Sequence, residues 1–390
     1  MEKKKIKYNT KGRSDKLVLL SLLLIIACVS PFEPEISKYE NVLVVDGAVS
    51  NIPGSTFVIL SKTSSYNDRY RNPVNAARIS LIDDLGNELH LLNTAGGTYH
   101  LPDSNYAGQI GRSYKIHIET ADGEICESLF EELKEPIPLD SVKYEFIEGS
   151  TDDERGIRIV VDVENNNNLN AYFYWEYKET WEFEVPYYSS LAPDSKVCYK
   201  SEKPPVFIIN STYDLVQNQL LNYPLYFIDN TTNRLYRKYS VIVTQHTLTE
   251  QCYVYYQDLK EVNEERGTLF DRAPLTLVGN MRNVANPDQA VLGNFQVSGA
   301  VRKRIFIKNQ DVAAHLNVPS GFEDCQIEYA GQTTDPFLLD SLLRSGWIVM
   351  DQTYNPVRND TILTLTKAKR CYDCKLSGTN IKPDFWDSDL

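Results

Sequence analysis

Tyr114-Lys115-Ile116-His117-Ile118-Glu119, closed by the turn Asp122-Gly123 and followed by Ile125 to Phe130, decides how this chain folds. Apolar and polar residues alternate with a period of two, so one side of the segment is dry and the other wet. That is a β-strand in a sheet with one solvated face, turning into the next strand. Outward from it the pattern repeats. Val42 to Val45 is an apolar run closed by Asp46-Gly47, and Thr56 to Leu60 follows Pro53-Gly54. Ala77 to Ile82 and Glu88 to Leu92 flank the loop Asp83 to Asn87. About seven short strands in about a hundred residues predict an Ig-like, Greek-key β-sandwich over 39–138, with Pro136 and Pro138 at its end.

A larger β-rich region is expected over 139–390. Ile157 to Val163 is almost continuously β-branched, and Asn165 to Asn168 is a polar turn. Ala171 to Val185 is a long aromatic strand, with Val206 to Ile209 and Lys238 to Gln245 adding more. One helix stands out. Thr247-Leu248-Thr249-Glu250 has capping-box spacing, Leu248, Cys252, Tyr255, Tyr256 and Leu259 recur at helical intervals, and Gly267 supplies a stop. A strand over Ala300 to Lys308 and a short helix over Pro336 to Leu343 complete the reading. The fold class is mainly β, with one prominent helix in the C-terminal part.

The first residues address the protein. Lys3, Lys4, Lys5, Lys7, Lys11, Arg13 and Lys16 precede an apolar run from Leu17 to Ala27, and Cys28 follows. A basic segment, a short apolar core and a small residue before a cysteine describe a lipoprotein signal over 1–27. Eleven residues are too few for a permanent membrane helix, which needs roughly 20. The expected mature chain begins at Cys28, carries lipid there, and is tethered through 28–38 to the outer membrane, at the cell surface rather than on its periplasmic face. The chain carries 40 basic against 53 acidic residues. That balance argues against nucleic acid as a partner.

Of seven cysteines, six remain once Cys28 is set aside. In an oxidising compartment disulfides are expected. Cys198, Cys252, Cys325, Cys371 and Cys374 are the candidates, and sequence leaves their pairing open. Cys371-x-x-Cys374 has metal-like spacing but no second pair to complete four ligands, so a crosslink is favoured and no metal or cofactor is assigned. No Gly-x-Ser-x-Gly elbow accompanies the five histidines, and no phosphate-cradling loop is visible. Catalytic residues are therefore not assigned. Tyr172, Tyr174, Trp175 and Trp181 are candidate ligand-binding aromatics, against the plainer reading that alternate ones are core.

The chain is identified as resembling a family at several stations. These are Val44-Val45-Asp46-Gly47, Tyr174 to Phe183, Gly267 to Asp271, Gly279-Asn280, Val297-Ser298 with Lys303 to Ile307, and Cys371-Tyr372-Asp373-Cys374 before Lys382 to Trp386. In this order they resemble the Bacteroidota envelope lipoproteins known as domain of unknown function 4249. It departs from that pattern at Cys252, at Asn283 and in the shortened Ser377 to Asn380. The resemblance implies an envelope lipoprotein of a kind often encoded beside a TonB-dependent outer-membrane receptor, with no catalytic residues to carry over. Ser141, Ser341 and Thr361, each after an aspartate and before an apolar residue, resemble O-glycosylation sites of that phylum. The expected function is a non-enzymatic accessory subunit that captures a nutrient for a TonB-dependent transporter. The rival is a structural or assembly protein of the envelope that binds other proteins.

Overall fold

The computed structural model describes residues 41–63, 72–165, 171–213, 215, 217–264 and 279–388. The signal, Cys28, the tether, most of the Asn165–Asn168 turn, and Gly267 with the station around it lie outside the described residues.

The chain is mainly β, with one long helix, as the periodicity predicts. A large sheet runs continuously from the Val197–Glu202 strand to Met281–Asn283. Its middle positions everything that follows. The aromatic strand (Tyr172–Glu184) pairs with Lys238–Thr247, which pairs with a bridging strand (Leu292–Lys308), which pairs with the entry strand (Leu43–Ser50). The Ser113–Thr120 strand buries Tyr114, Ile116 and Ile118, the residues its alternation assigns to the core.

The expected division of the chain at residue 138 needs correction. The first core is completed from far downstream, by Met281, Phe295 and Val297. The bridging strand lies parallel to the entry strand through Ser298 and antiparallel to Lys238–Thr247 from Gly299 onward. Seventeen residues of one strand thus serve two cores. The close approach is built on glycine. A Cβ on Gly293, whose φ is +101°, would lie 1.8 Å from the Val45 carbonyl oxygen, and one on Gly279 would lie 1.7 Å from that of Gly293.

Two local readings are also corrected. Asp46-Gly47 does not end the first strand, which runs on to Ser50 because Asp46 is paired with Ile59 on one side and Asn294 on the other. The helix (Glu250–Glu264) starts two residues later than the capping box implied. Thr249 Oγ1 accepts from the Cys252 amide at 3.2 Å, while Thr247 stays in the sheet and accepts from the Ile137 amide. The short helix is present as Pro336–Arg344, packed on a small three-stranded sheet (Ile327–Gly331, Ile348–Asn355, Asp360–Thr366). Among the described residues no helix is long and apolar enough to cross a membrane.

Candidate functional site

Period-two geometry puts the even-numbered residues of four adjacent strands on one face of the sheet. Tyr174 and Glu176 come from the aromatic strand, Thr244 and His246 from its neighbour, and Asn294, Gln296, Ser298 and Arg302 from the bridging strand. Asp46 and Ala48 come from the entry strand, and in-register pairing aligns the rows Tyr174–His246–Ala300 and Glu176–Thr244–Arg302. The opposite face carries Phe173, Trp175, Val243, Val45 and Phe295 into the cores. The helix crosses above the polar face, and the loop from Lys203 to Phe207 forms a rim. Between them lies a cleft of about 680 Å³ lined by Tyr174, Glu176, His246, Tyr256, Gln296 and Arg302, among others. That volume suits a small ligand.

The helix is held over the sheet by a buried polar hub. Glu131 accepts from Asn280 Nδ2 at 2.8 Å and from Thr249 Oγ1 at 3.2 Å. Asn280 also bonds both backbone groups of Phe295, each at 2.8 Å. Burial pushes the Glu131 carboxyl above its ordinary range, only partly offset by these donors.

Inside the cleft the hydrogen bonds form a directed chain. Tyr256 OH donates to Gln296 Oε1 at 2.8 Å, and Gln296 Nε2 donates to Ser298 Oγ at 2.7 Å. Ser298 Oγ lies 3.0 Å from His246 Nδ1. Gln296 Nε2, which can only donate, also lies 3.2 Å from His246 Nδ1, so Nδ1 is the acceptor and the ring proton is assigned to Nε2. Burial lowers the imidazole pKa to about 4, so His246 is neutral at physiological pH. Tyr174 stacks on His246 at 5.5 Å and on Tyr256 at 5.2 Å, and burial raises both phenols above their usual range. Glu176 pairs with Lys203 at 2.7 Å at the rim.

The four aromatic candidates separate by parity. Tyr174 lines the cleft, and Tyr172 lies on the same side, against Tyr253 of the helix at 5.0 Å. Trp175 and Trp181 are corrected to core residues, because the odd positions of their strand face inward. Trp175 Nε1 donates to Gln245 Oε1 at 2.9 Å, and Gln245 Nε2 donates to the Ile137 carbonyl. Four of five cysteine candidates are joined, as Cys198–Cys374 and Cys325–Cys371. Cys252 is corrected to a free thiol; Cys126, which is not one of the candidates, is also free. Cys252 lies in the first turn of the helix and points down onto the sheet, where its sulfur takes a 3.4 Å contact from Asn294 Nδ2. Ser141 is a strand residue whose hydroxyl donates to Asp162, Thr361 is half-buried in a strand, and Ser341 is exposed on the short helix. Among the described residues no three His, Cys, Asp or Glu side chains are grouped to hold a metal ion.

Sequence reasoning missed His246, Gln296 and Arg302. The available signal was a run of strand positions polar on one parity (Asn294, Gln296, Ser298) where a doubly buried strand would be apolar on both.

A model of the family described as "Domain of unknown function (DUF4249)" matches residues 29–304. No curated protein matches the chain. Among solved structures it is similar to a tetra-tandem repeat in the extending region of a large adhesion protein, at 8% identity over 84% of this chain and 56% of that one, with TM-score 0.16. It is also similar to trypsin-activated alpha-2-macroglobulin from Escherichia coli, at 10% identity over 83% of this chain and 17% of that one, with TM-score 0.17. The chain thus spans about half of the first and under a fifth of the second, and at these TM-scores neither carries an argument.

Proposed function

We propose, from the premise that this chain belongs to the DUF4249 family, that it is a lipid-anchored outer-membrane subunit that captures a small ligand and delivers it to a TonB-dependent barrel. The observation that carries the reading is the cleft. Its walls are aromatic, its floor is a row of fixed hydrogen-bonding groups, and its size is that of a ligand site. The reading is of binding without turnover. Ser298 is fully buried, with both its neighbours in the hydrogen-bond chain engaged, so it presents no accessible nucleophile. Export and anchoring are supported by the basic and apolar signal ahead of Cys28. The barrel partner is supported by the family resemblance alone.

Purification of the full-length lipidated protein from its native membrane in mild detergent, with mass spectrometry of what accompanies it, tests the reading. A stoichiometric TonB-dependent barrel is the expected companion. Its absence discards the transport role, and other envelope proteins in its place favour a structural one.

A further inference from the structure

We propose that the cleft receives a small organic anion, a single carboxylate on a flat apolar or aromatic body, with the carboxylate at Arg302 and the body against Tyr174 and Tyr256. The inference rests on the ligand-capture reading and gives it a substrate class.

The charges of the site carry the first step. Arg302 lines the cleft and makes no hydrogen bond or ion pair to any described residue. The other charges nearby are engaged, Lys203 with Glu176 and Arg304 with Ser240 and the Phe385 ring. Glu176 and Lys203 cancel, so Arg302 is the uncompensated positive charge in the cleft lining, with Arg304 two residues along the strand adding a second positive charge behind it. Asp46 lies toward the other end, where its charge acts on the Tyr174 and Tyr256 phenols rather than on Arg302. It is paired with Asn294, eight residues along the bridging strand from Arg302, which is roughly 26 Å at strand rise.

His246 carries the second step. It is 8% exposed, lies diagonally across the strand pair from Arg302 (whose direct partner is Thr244), and lines the same cleft. The chain from Tyr256 through Gln296 and Ser298 occupies its Nδ1 and leaves Nε2–H as a donor with no partner among the described residues. A neutral imidazole donates without adding charge. One guanidinium fork plus one neutral N–H matches a monoanionic, planar acceptor. A dianionic phosphate would leave surplus negative charge beside Glu176. The stacked phenols of Tyr174 and Tyr256, with Phe207 and Leu259 on the rim, supply faces for an apolar body rather than further polar partners.

The probes are 2-naphthoate and its uncharged isostere 2-naphthamide. Each is titrated by fluorescence into the full-length protein in detergent, with empty micelles subtracted. Naphthoate is expected to bind at least about tenfold more tightly than naphthamide. Arg302→Gln removes that preference and leaves naphthamide within about twofold, since the amide gains no ion pair from the guanidinium and the glutamine amide can still donate to its oxygen. Arg302→Lys retains part of the preference, and Tyr174→Ala weakens both probes. Thermal melting confirms that each variant folds. Equal affinity for the two probes, a preference that survives Arg302→Gln, or no binding of either overturns the assignment. A co-purifying barrel without naphthoate binding would leave the transport reading standing without this ligand class. Naphthoate binding without a barrel would do the reverse.

Discussion

Replacing Cys198 and Cys374 together by serine removes the crosslink that ties the C-terminal tail to the edge of the large sheet. Cys198 is buried in the Val197–Glu202 strand, and its partner lies 176 residues away. Chain-entropy arithmetic for a loop of 176 residues gives about 5 kcal/mol at 25 °C, and for the 46-residue loop of Cys325–Cys371 about 4 kcal/mol. The inner bridge short-circuits 46 of the 176 residues, but the dependence is logarithmic, so the outer figure falls only by a few tenths of a kcal/mol. The tail also holds by other means. Tyr199 and Thr379 exchange backbone hydrogen bonds at 2.7 and 2.9 Å, Lys238 Nζ donates to the Trp386 carbonyl, and Trp386 Nε1 donates to Glu182. These contacts act in the folded state and leave the unfolded-state term intact. The expected loss is therefore about 3–5 kcal/mol. Urea unfolding followed by tryptophan fluorescence is the assay, because all four tryptophans (Trp175, Trp181, Trp347 and Trp386) lie beyond the first sandwich and report on this half of the chain. Reduction of the wild-type protein should reproduce at least the same shift in midpoint. A loss below about 1 kcal/mol would show that the tail's own contacts, not the crosslink, set its stability, and would refute the loop argument.

Further outcomes are expected elsewhere. Gln245→Leu strands the Trp175 indole N–H and the Ile137 carbonyl, and should cost about 2–5 kcal/mol in the same urea assay. His246 titrates near 4 in the fold against 6.5 unfolded, so its stability contribution is present above pH 6.5 and lost as pH falls toward 4. That loss is on the order of 3 kcal/mol, and a His246→Gln variant should lack this part of the acid sensitivity. Glu131 has the opposite sign: its folded pKa is raised, so the fold loses stability as pH rises through it. Glu131→Gln should therefore match or exceed wild-type stability at pH 7 and lose that advantage near pH 4. Maleimide should fail to label Cys126 and Cys252 in native protein and label both after denaturation, since both thiols are buried and burial raises their pKa. Rapid native labelling of Cys252 would contradict the packing of the helix's first turn on the sheet.

What the sequence determined by itself is the class of the fold and the two faces of its strands. Alternation is a local property, and it correctly sends Tyr114, Ile116 and Ile118 inward. It also puts Trp175 and Trp181 on the face opposite Tyr172 and Tyr174, but which of the two faces is core was shown only by the structure. Helix periodicity likewise located Glu250–Glu264 to within its first turn. What covers each face was decided only in three dimensions. Asp46-Gly47 reads as a turn until the Phe57–Lys62 and Leu292–Lys308 strands hold it extended from both sides. Cys252 reads as a crosslink candidate until the helix lays it on Asn294, away from the two joined pairs. The cleft exists because one strand crosses between two cores, so that residues 249 positions apart, Asn51 and Ala300, share hydrogen bonds. Local periodicity states which side of a strand is polar. Only the partner brought from the other end of the chain makes that polar side a site.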